Sequence, residues 1–251
     1  MSGFSTLLRK EVLRFWKVSV QTVVAPVLTA MLYLLVFSQA LSEHFEVVPG
    51  VSYVAFLTPG LVMMSVLQNA FANTSSSLIQ SKVTGNLVFV LLPPLASWEI
   101  FGAYVLAAMM RGLLVGVGVW AVAAFWVPPH GMAPFWIVAF AVLGSAILGT
   151  IGLIGGLWAE KFDQVALLQH FFMMPATFLA GVFYSVDALP PFWRAVSYWN
   201  PIFYMVDGFR FGFIGHSDVA PQISLAVVFL TFVVVSILAL RCVQTGWRIR
   251  H

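Results

Sequence analysis

Side chains capable of chemistry are few in this sequence, and their spacing fits no catalytic or metal-binding site. The five histidines are scattered, and neither His-Glu-x-x-His nor Gly-x-Ser-x-Gly occurs. None of the four lysines follows a glycine, so the chain has no phosphate-binding P-loop. We therefore expect this chain to catalyse no reaction and to bind no metal or cofactor of its own.

Arg111 stands out because it lies near the middle of a long apolar run, residues 100–120. A charge at that depth in a membrane is costly and usually faces the interior of a helix bundle or a water-filled path. No acidic residue lies at its depth, but Gln68, Asn69 and Asn73 could offer side-chain carbonyls. Arg111 could therefore tie two helices together or contact a substrate.

The elements that position these residues follow from the composition. Apolar residues make up 61% of the 251 residues and charged residues 8%, against about 25% charged in a soluble domain. This excludes an ordinary soluble protein, a disordered chain and a nucleic-acid-binding domain. Six apolar runs are long enough to cross a bilayer as helices: residues 18–41, 53–72, 100–120, 134–158, 165–184 and 222–240. We predict one all-α, polytopic membrane domain over residues 1–251 with six transmembrane helices.

Basic residues predict the orientation, because Lys and Arg concentrate in cytoplasmic segments. Nine fall on one side of the predicted topology: Arg9, Lys10, Arg14, Lys17, Lys82, Lys161, Arg241, Arg248 and Arg250. Only Arg194 and Arg210 fall on the other side. Both termini are therefore predicted to be cytoplasmic.

Residues 1–17 predict an amphipathic interfacial helix whose basic residues point toward lipid headgroups. Glu11 falls on its apolar side, within reach of Arg14 one turn on. The helix could serve as a topology anchor alone or could also contact a cytosolic partner.

The predicted cytoplasmic loop, residues 73–99, contains an apolar segment too short to span a membrane. The segment is Gly85, Asn86, Leu87, Val88, Phe89, Val90, Leu91, Leu92 and Pro93. Exposed apolar surface of this kind needs a cover, which could be the chain's own helices or a partner.

Residues 185–221 are too polar to span a membrane and too aromatic for a solvated loop. The informative residues are Pro190, Pro191, Trp193, Asn200, Pro201, Tyr204, Asp207 and Arg210. We predict two short helices that break at Asn200-Pro201 and re-enter the outer half of the membrane. We also expect neighbouring aspartates to pair with Arg194 and Arg210. A plain aromatic belt is the alternative.

Glycines recur at four-residue spacing in two predicted spans, at Gly112 and Gly116 and at Gly152 and Gly156. This spacing permits close helix packing, which is common in membrane proteins and carries little functional information.

Together these features resemble the permease subunit of ABC-2 type exporters, in particular small bacterial drug or glycolipid export permeases. The most specific stretch runs from Leu189 through Asn200-Pro201 to Arg210, and residues 59–61 and 181–185 are also similar to the family.

This resemblance implies that residues 85–93 form a coupling helix that docks into a separate P-loop ATPase, present in two copies. ATP and Mg would bind to that partner. It further implies a second copy of this chain, a location in the bacterial inner membrane, and export of an amphipathic, drug-like or lipid-linked substrate.

Two other classes remain open: a secondary transporter driven by an ion gradient, and a membrane enzyme. The absence of acidic residues near the centres of the spans counts against the first. The missing catalytic motifs count against the second.

Overall fold

The computed structural model describes residues 3–40, 46–48, 50–127 and 132–247. Within these ranges the chain is almost entirely helical, as predicted. The α-helices are α1 (Gly3–Trp16), α2 (Ser19–Ala40), α3 (Tyr53–Val83), α4 (Leu87–Leu91), α5 (Ser97–Ala123), α6 (Pro134–Trp158), α7 (Phe162–Leu167), α8 (Met174–Phe178), α9 (Pro191–Trp199), α10 (Pro201–Ile214) and α11 (Pro221–Thr245). A small antiparallel hairpin, β1 (Glu46–Val48) and β2 (Val51–Ser52), precedes α3. Arg248 and Arg250, counted in the predicted orientation, lie outside the described residues.

Five described helices, α2, α3, α5, α6 and α11, are long and apolar enough to cross a membrane. The predicted fifth span, residues 165–184, instead forms α7, a π-helical turn (Leu168–Met173) and α8. Its helix ends at Phe178, before the left-handed Gly181. Pro175 has no backbone N–H with which to continue an α-helical ladder. The count of six spanning helices therefore stays a prediction.

Helix α3 is longer than predicted, because residues 73–83 are helical rather than part of a loop. Hydroxyl groups in this stretch find acceptors inside the bundle: the Thr74 hydroxyl donates to the Gly149 oxygen at 2.7 Å, and the Ser75 hydroxyl to the Phe71 oxygen at 2.8 Å. The predicted loop shrinks to residues 84–96.

Helix α3 forms the centre of the bundle and packs against α5, α6 and α10. Glycines allow the close approach. A Cβ atom at Gly112 would lie 2.8 Å from the Val66 oxygen, and one at Gly152 would lie 2.4 Å from the Phe71 oxygen. We call the two ends of the bundle the α4 end and the α10 end. The segment from α7 to Gly181 runs from the α4 end to the α10 end.

Candidate functional site

An open groove runs between α2 and α3, with a cavity of about 580 Å³. Its lining repeats every three or four residues along both helices, as expected for one face of each. The polar members are Arg14, Gln21, Thr22, Thr29, Ser65, Gln68, Asn69, Ser76, Arg111 and Gln169. The hydroxyl groups of Thr29, Ser65 and Ser76 donate to carbonyl groups of their own helices. Lipid cannot satisfy the remaining amide and guanidinium groups at membrane depth. The groove therefore requires water, a ligand or another protein surface against it.

Arg111 extends from α5 into this groove. Its Nη2 donates to Oδ1 of Asn69 at 3.4 Å, and Gln68 lines the groove beside them. Its Nε is buried and lacks an acceptor among the described residues. The side-chain oxygen of Asn73, which we expected to be available to Arg111, accepts from Arg14 instead.

Helix α3, which forms one side of the groove, is joined to α1 by a cluster of buried polar side chains. Nη2 of Arg14 donates to both the backbone and side-chain oxygens of Asn73, at 2.7 and 2.9 Å. The fully buried Glu11 accepts from Nε of Arg14 at 3.2 Å and from the Ser77 hydroxyl at 2.6 Å. The Glu11–Arg14 contact agrees with the sequence. The placement of Arg14 on the exposed basic face of α1 was wrong, because buried acceptors on α3 and Glu11 draw it inward.

Residues 84–96 form the α4 end of the molecule. Gly85 adopts φ 72° and reverses the chain after α3, and Asn86 donates to the Thr84 hydroxyl at 3.0 Å. Residues Leu87–Leu91 then form the single helical turn α4, which ends before Pro93-Pro94.

The two faces of α4 differ in their surroundings. Val90 is buried in an apolar cluster with Leu7 of α1 and Leu157 of α6. The side chains of Val88, Phe89 and Leu92 are mostly exposed, with Phe89 70% exposed. The chain's own helices therefore cover one face of this segment and leave the other free.

At the α10 end, the chain breaks at Asn200-Pro201 into α9 and α10, as predicted. Pro190 precedes α9, Pro191 is its first residue, and Trp193 is exposed on it. Asn200 joins two elements, because its side chain accepts from the Ile202 N–H at 3.0 Å and donates to the Ala176 oxygen at 2.6 Å.

The charged residues of α10 are buried, but they do not form the expected ion pairs. Asp207 accepts from the backbone N–H groups of Asp218 at 2.8 Å and Val219 at 3.0 Å. Nη2 of Arg210 donates to the Gly181 oxygen at 2.5 Å, and its guanidinium lies 3.9 Å from the centre of the Phe56 ring.

Arg194 donates to the backbone oxygens of Asp187 and Leu189. The predicted pairing of the aspartates with Arg194 and Arg210 was therefore wrong, because the guanidinium groups contact backbone oxygens and the Phe56 ring instead, while the Nε of each finds no acceptor among the described residues. Tyr204 supports the same region by donating to the Tyr198 oxygen at 3.0 Å.

Several groove residues were not among the sequence candidates, notably Gln21, Thr29, Ser65 and Gln169. The first three follow the helical spacing of small and polar residues in α2 and α3, a signal the sequence contains. Gln169 reaches the groove from the π-helical turn, which simple helical periodicity does not anticipate.

Comparisons with known proteins agree with this architecture. Residues 2–214 match the family model of the ABC-2 type transporter. The chain is 40% identical over 225 residues to the inner membrane transport permease YadH of Escherichia coli K12, covering 90% of this chain and 88% of that one. It is 27% identical over 164 residues to the probable multidrug ABC transporter permease YbhR of the same strain, covering 63% and 44%. It is 22% identical over 204 residues to nodulation protein J of Rhizobium leguminosarum bv. viciae, covering 80% and 78%.

The family match covers most of the chain, and the first relative aligns along nearly its whole length. Together with five long apolar helices, these matches indicate a multi-pass inner membrane protein. The chain therefore belongs to the ABC-2 type transporter family and is a membrane permease subunit of an ABC transporter.

Proposed function

We propose that two copies of this chain form an export path for an amphipathic substrate, and that a separate ATPase supplies the energy. The observation that carries the proposal is the open polar groove between membrane-spanning helices. Such a surface is stable in a bilayer only when protein or water covers it. A second copy facing the groove would enclose it as a water-accessible path.

The exposed face of α4 supports the docking of the ATPase. Val88, Phe89 and Leu92 form an apolar surface at the α4 end, and each of these residues is more than half exposed. The opposite face of α4 is anchored on α1 and α6 through Val90. A movement of the docked partner would therefore shift α4 together with α1 and α6.

In this proposal the chain itself hydrolyses no ATP, and ATP and Mg bind to the partner. Both chain termini and α4 lie on the cytoplasmic side, as the basic residues predict. The substrate is amphipathic, drug-like or lipid-linked, because the groove mixes polar side chains with the apolar surface of α2 and α3.

The test is affinity purification of the tagged full chain from its native membrane in mild detergent. We expect a P-loop ATPase to co-purify and native mass spectrometry to give two copies of each chain. We also expect ATP hydrolysis by the complex and none by the isolated chain. A monomeric chain that transports substrate on an ion gradient alone would contradict the proposal and favour a secondary transporter.

A further inference from the structure

The groove carries a positive charge that no carboxylate compensates. Two arginines, Arg14 and Arg111, line it, and its described lining contains no aspartate or glutamate. Arg14 is neutralised by Glu11, whose Oε2 lies 3.2 Å from its Nε. Arg111 forms no ion pair within the described part of the chain, and it depends on one hydrogen bond of 3.4 Å to Asn69.

The donors of Arg111 remain available to a ligand. An unpaired guanidinium among apolar helices is costly, and its buried Nε finds no acceptor in the described residues. The fork of a guanidinium matches the oxygens of a phosphate or a carboxylate. An anion at this point would compensate the charge and accept from the terminal nitrogens of the guanidinium, which are not buried as Nε is.

The surroundings of Arg111 suit a molecule with one polar and one apolar part. Amide side chains of Gln68, Asn69 and Gln169 lie on the same cavity and can donate to further oxygens. Apolar residues lie among the polar ones on the same lining, with Ala25, Pro26 and Ala30 on α2 and Leu61 and Met64 on α3. The cavity of about 580 Å³ is within the usual range of ligand sites, roughly 300–1,000 Å³.

We propose that this groove binds an amphipathic anion, with its phosphate or carboxylate held by Arg111 and Asn69 and its apolar part against the apolar residues of α2 and α3 on the lining. The inference rests on the proposed function, because it names the chemical class of the molecule that enters the path. It assigns Arg111 a direct binding role rather than only a link between helices.

The test uses a reporter cysteine inside the groove. In the full chain with Cys242→Ser, Ala72→Cys places a thiol on the groove lining, and its reaction with a maleimide is followed in neutral detergent. We expect dodecyl phosphate to slow this reaction about tenfold, because charge-assisted hydrogen bonds are worth at least that factor. Dodecyl maltoside and inorganic phosphate at the same concentration should give no comparable protection.

Variants assign the effect to Arg111. Protection by dodecyl phosphate should disappear in Arg111→Gln, should persist in part in Arg111→Lys, and should be unchanged in Arg194→Gln. A reporter at the exposed Ala188, made as Ala188→Cys, should never be protected. Equal protection in the original chain and in Arg111→Gln would overturn the proposal. Equal protection by inorganic phosphate would overturn its amphipathic part.

A second measurement leaves Arg111 in place, in case Arg111→Gln does not fold. Anionic thiol reagents should modify Ala72→Cys several-fold faster than cationic ones, relative to the same ratio at Ala188→Cys. An equal ratio at both positions would contradict the proposal. A chain that co-purifies with an ATPase but shows no protection by dodecyl phosphate would refute this inference alone. A chain that binds the anion but has no ATPase partner would refute the proposed function instead.

Discussion

Arg14 of α1 contacts Asn73 of α3 twice through one nitrogen, since its Nη2 lies 2.7 Å from the backbone oxygen and 2.9 Å from the side-chain oxygen. Glu11 reinforces the link through Ser77 at 2.6 Å. Helix α1 is therefore fastened to the part of α3 that leads into α4, rather than resting on its apolar face alone.

This link predicts a specific loss of stability. Arg14→Met removes the charged donor and leaves the Glu11 carboxylate buried with Lys10 as its remaining charged partner. We expect the free energy of unfolding to fall by about 2 kcal/mol, measured by thermal unfolding in detergent. Arg9→Met, at an exposed position of the same helix, should change it little. The double variant Glu11→Gln/Arg14→Met should recover part of the loss. Equal stability of Arg14→Met and Arg9→Met would contradict the link.

Asp207 predicts a comparable effect at the other end of the bundle. Each of its oxygens accepts a backbone N–H, from Asp218 and from Val219. Asp207→Asn replaces one acceptor by a donor that faces an N–H group, and should cost about 2 kcal/mol of unfolding free energy. Asp187→Asn, at an exposed site, is the control. If the two variants unfold at the same temperature, Asp207 does not hold the segment before α11.

Two glycines of α6 form a matched pair for the packing of α3. Gly152→Ala would place a methyl group 2.4 Å from the Phe71 oxygen, whereas Gly155→Ala would place one 3.0 Å from the end of the Leu168 side chain and 3.9 Å from the Phe71 ring. We expect Gly152→Ala to lower the unfolding temperature clearly. Gly155→Ala should be nearly neutral, because alanine also favours helix by up to about 1 kcal/mol. The reverse order of stability would show that backbone contact does not set the distance between α3 and α6.

The orientation can be tested by labelling single cysteines in Cys242→Ser with an impermeant reagent. Ala188→Cys and His216→Cys bracket α9 and α10 at exposed positions, and Thr245→Cys lies at the end of α11. In intact cells we expect the first two to react and the third to react only after permeabilisation. Labelling of Ala188→Cys and His216→Cys from opposite sides would mean that α9 and α10 cross the membrane.

The sequence predicts the long helices well, because each is a continuous apolar run bounded by proline, glycine or charge. The predicted residues 134–158 coincide with α6, and the break at Asn200-Pro201 follows from the chemistry of proline. The sequence underestimates α3, because Thr74, Ser75 and Ser77 look like a polar loop until their hydroxyl groups find acceptors inside the bundle.

The groove was only partly predictable for a related reason. Arg111, Gln68 and Asn69 attract notice as polar residues within apolar runs, and all three line the cavity. Which polar side chain forms a hydrogen bond with which partner depends on tertiary contacts. The side-chain oxygen of Asn73 accepts from Arg14 of α1, and no local sequence pattern indicates this contact. The pairing of Arg210 with a carbonyl and a ring is likewise a product of packing.

One pair of variants tests whether an ATPase docks on α4 and drives the permease. Phe89 is 70% exposed on α4, and Phe125, 86% exposed, follows α5 at the opposite end of the bundle. We measure ATP hydrolysis that co-purifies with the tagged chain carrying Phe89→Asp or Phe125→Asp. We expect Phe89→Asp to lose most of this activity while still inserting in the membrane, because a carboxylate in an apolar contact costs several kcal/mol. We expect Phe125→Asp to retain the activity. Full ATP hydrolysis and transport with Phe89→Asp would show that the ATPase does not dock on α4.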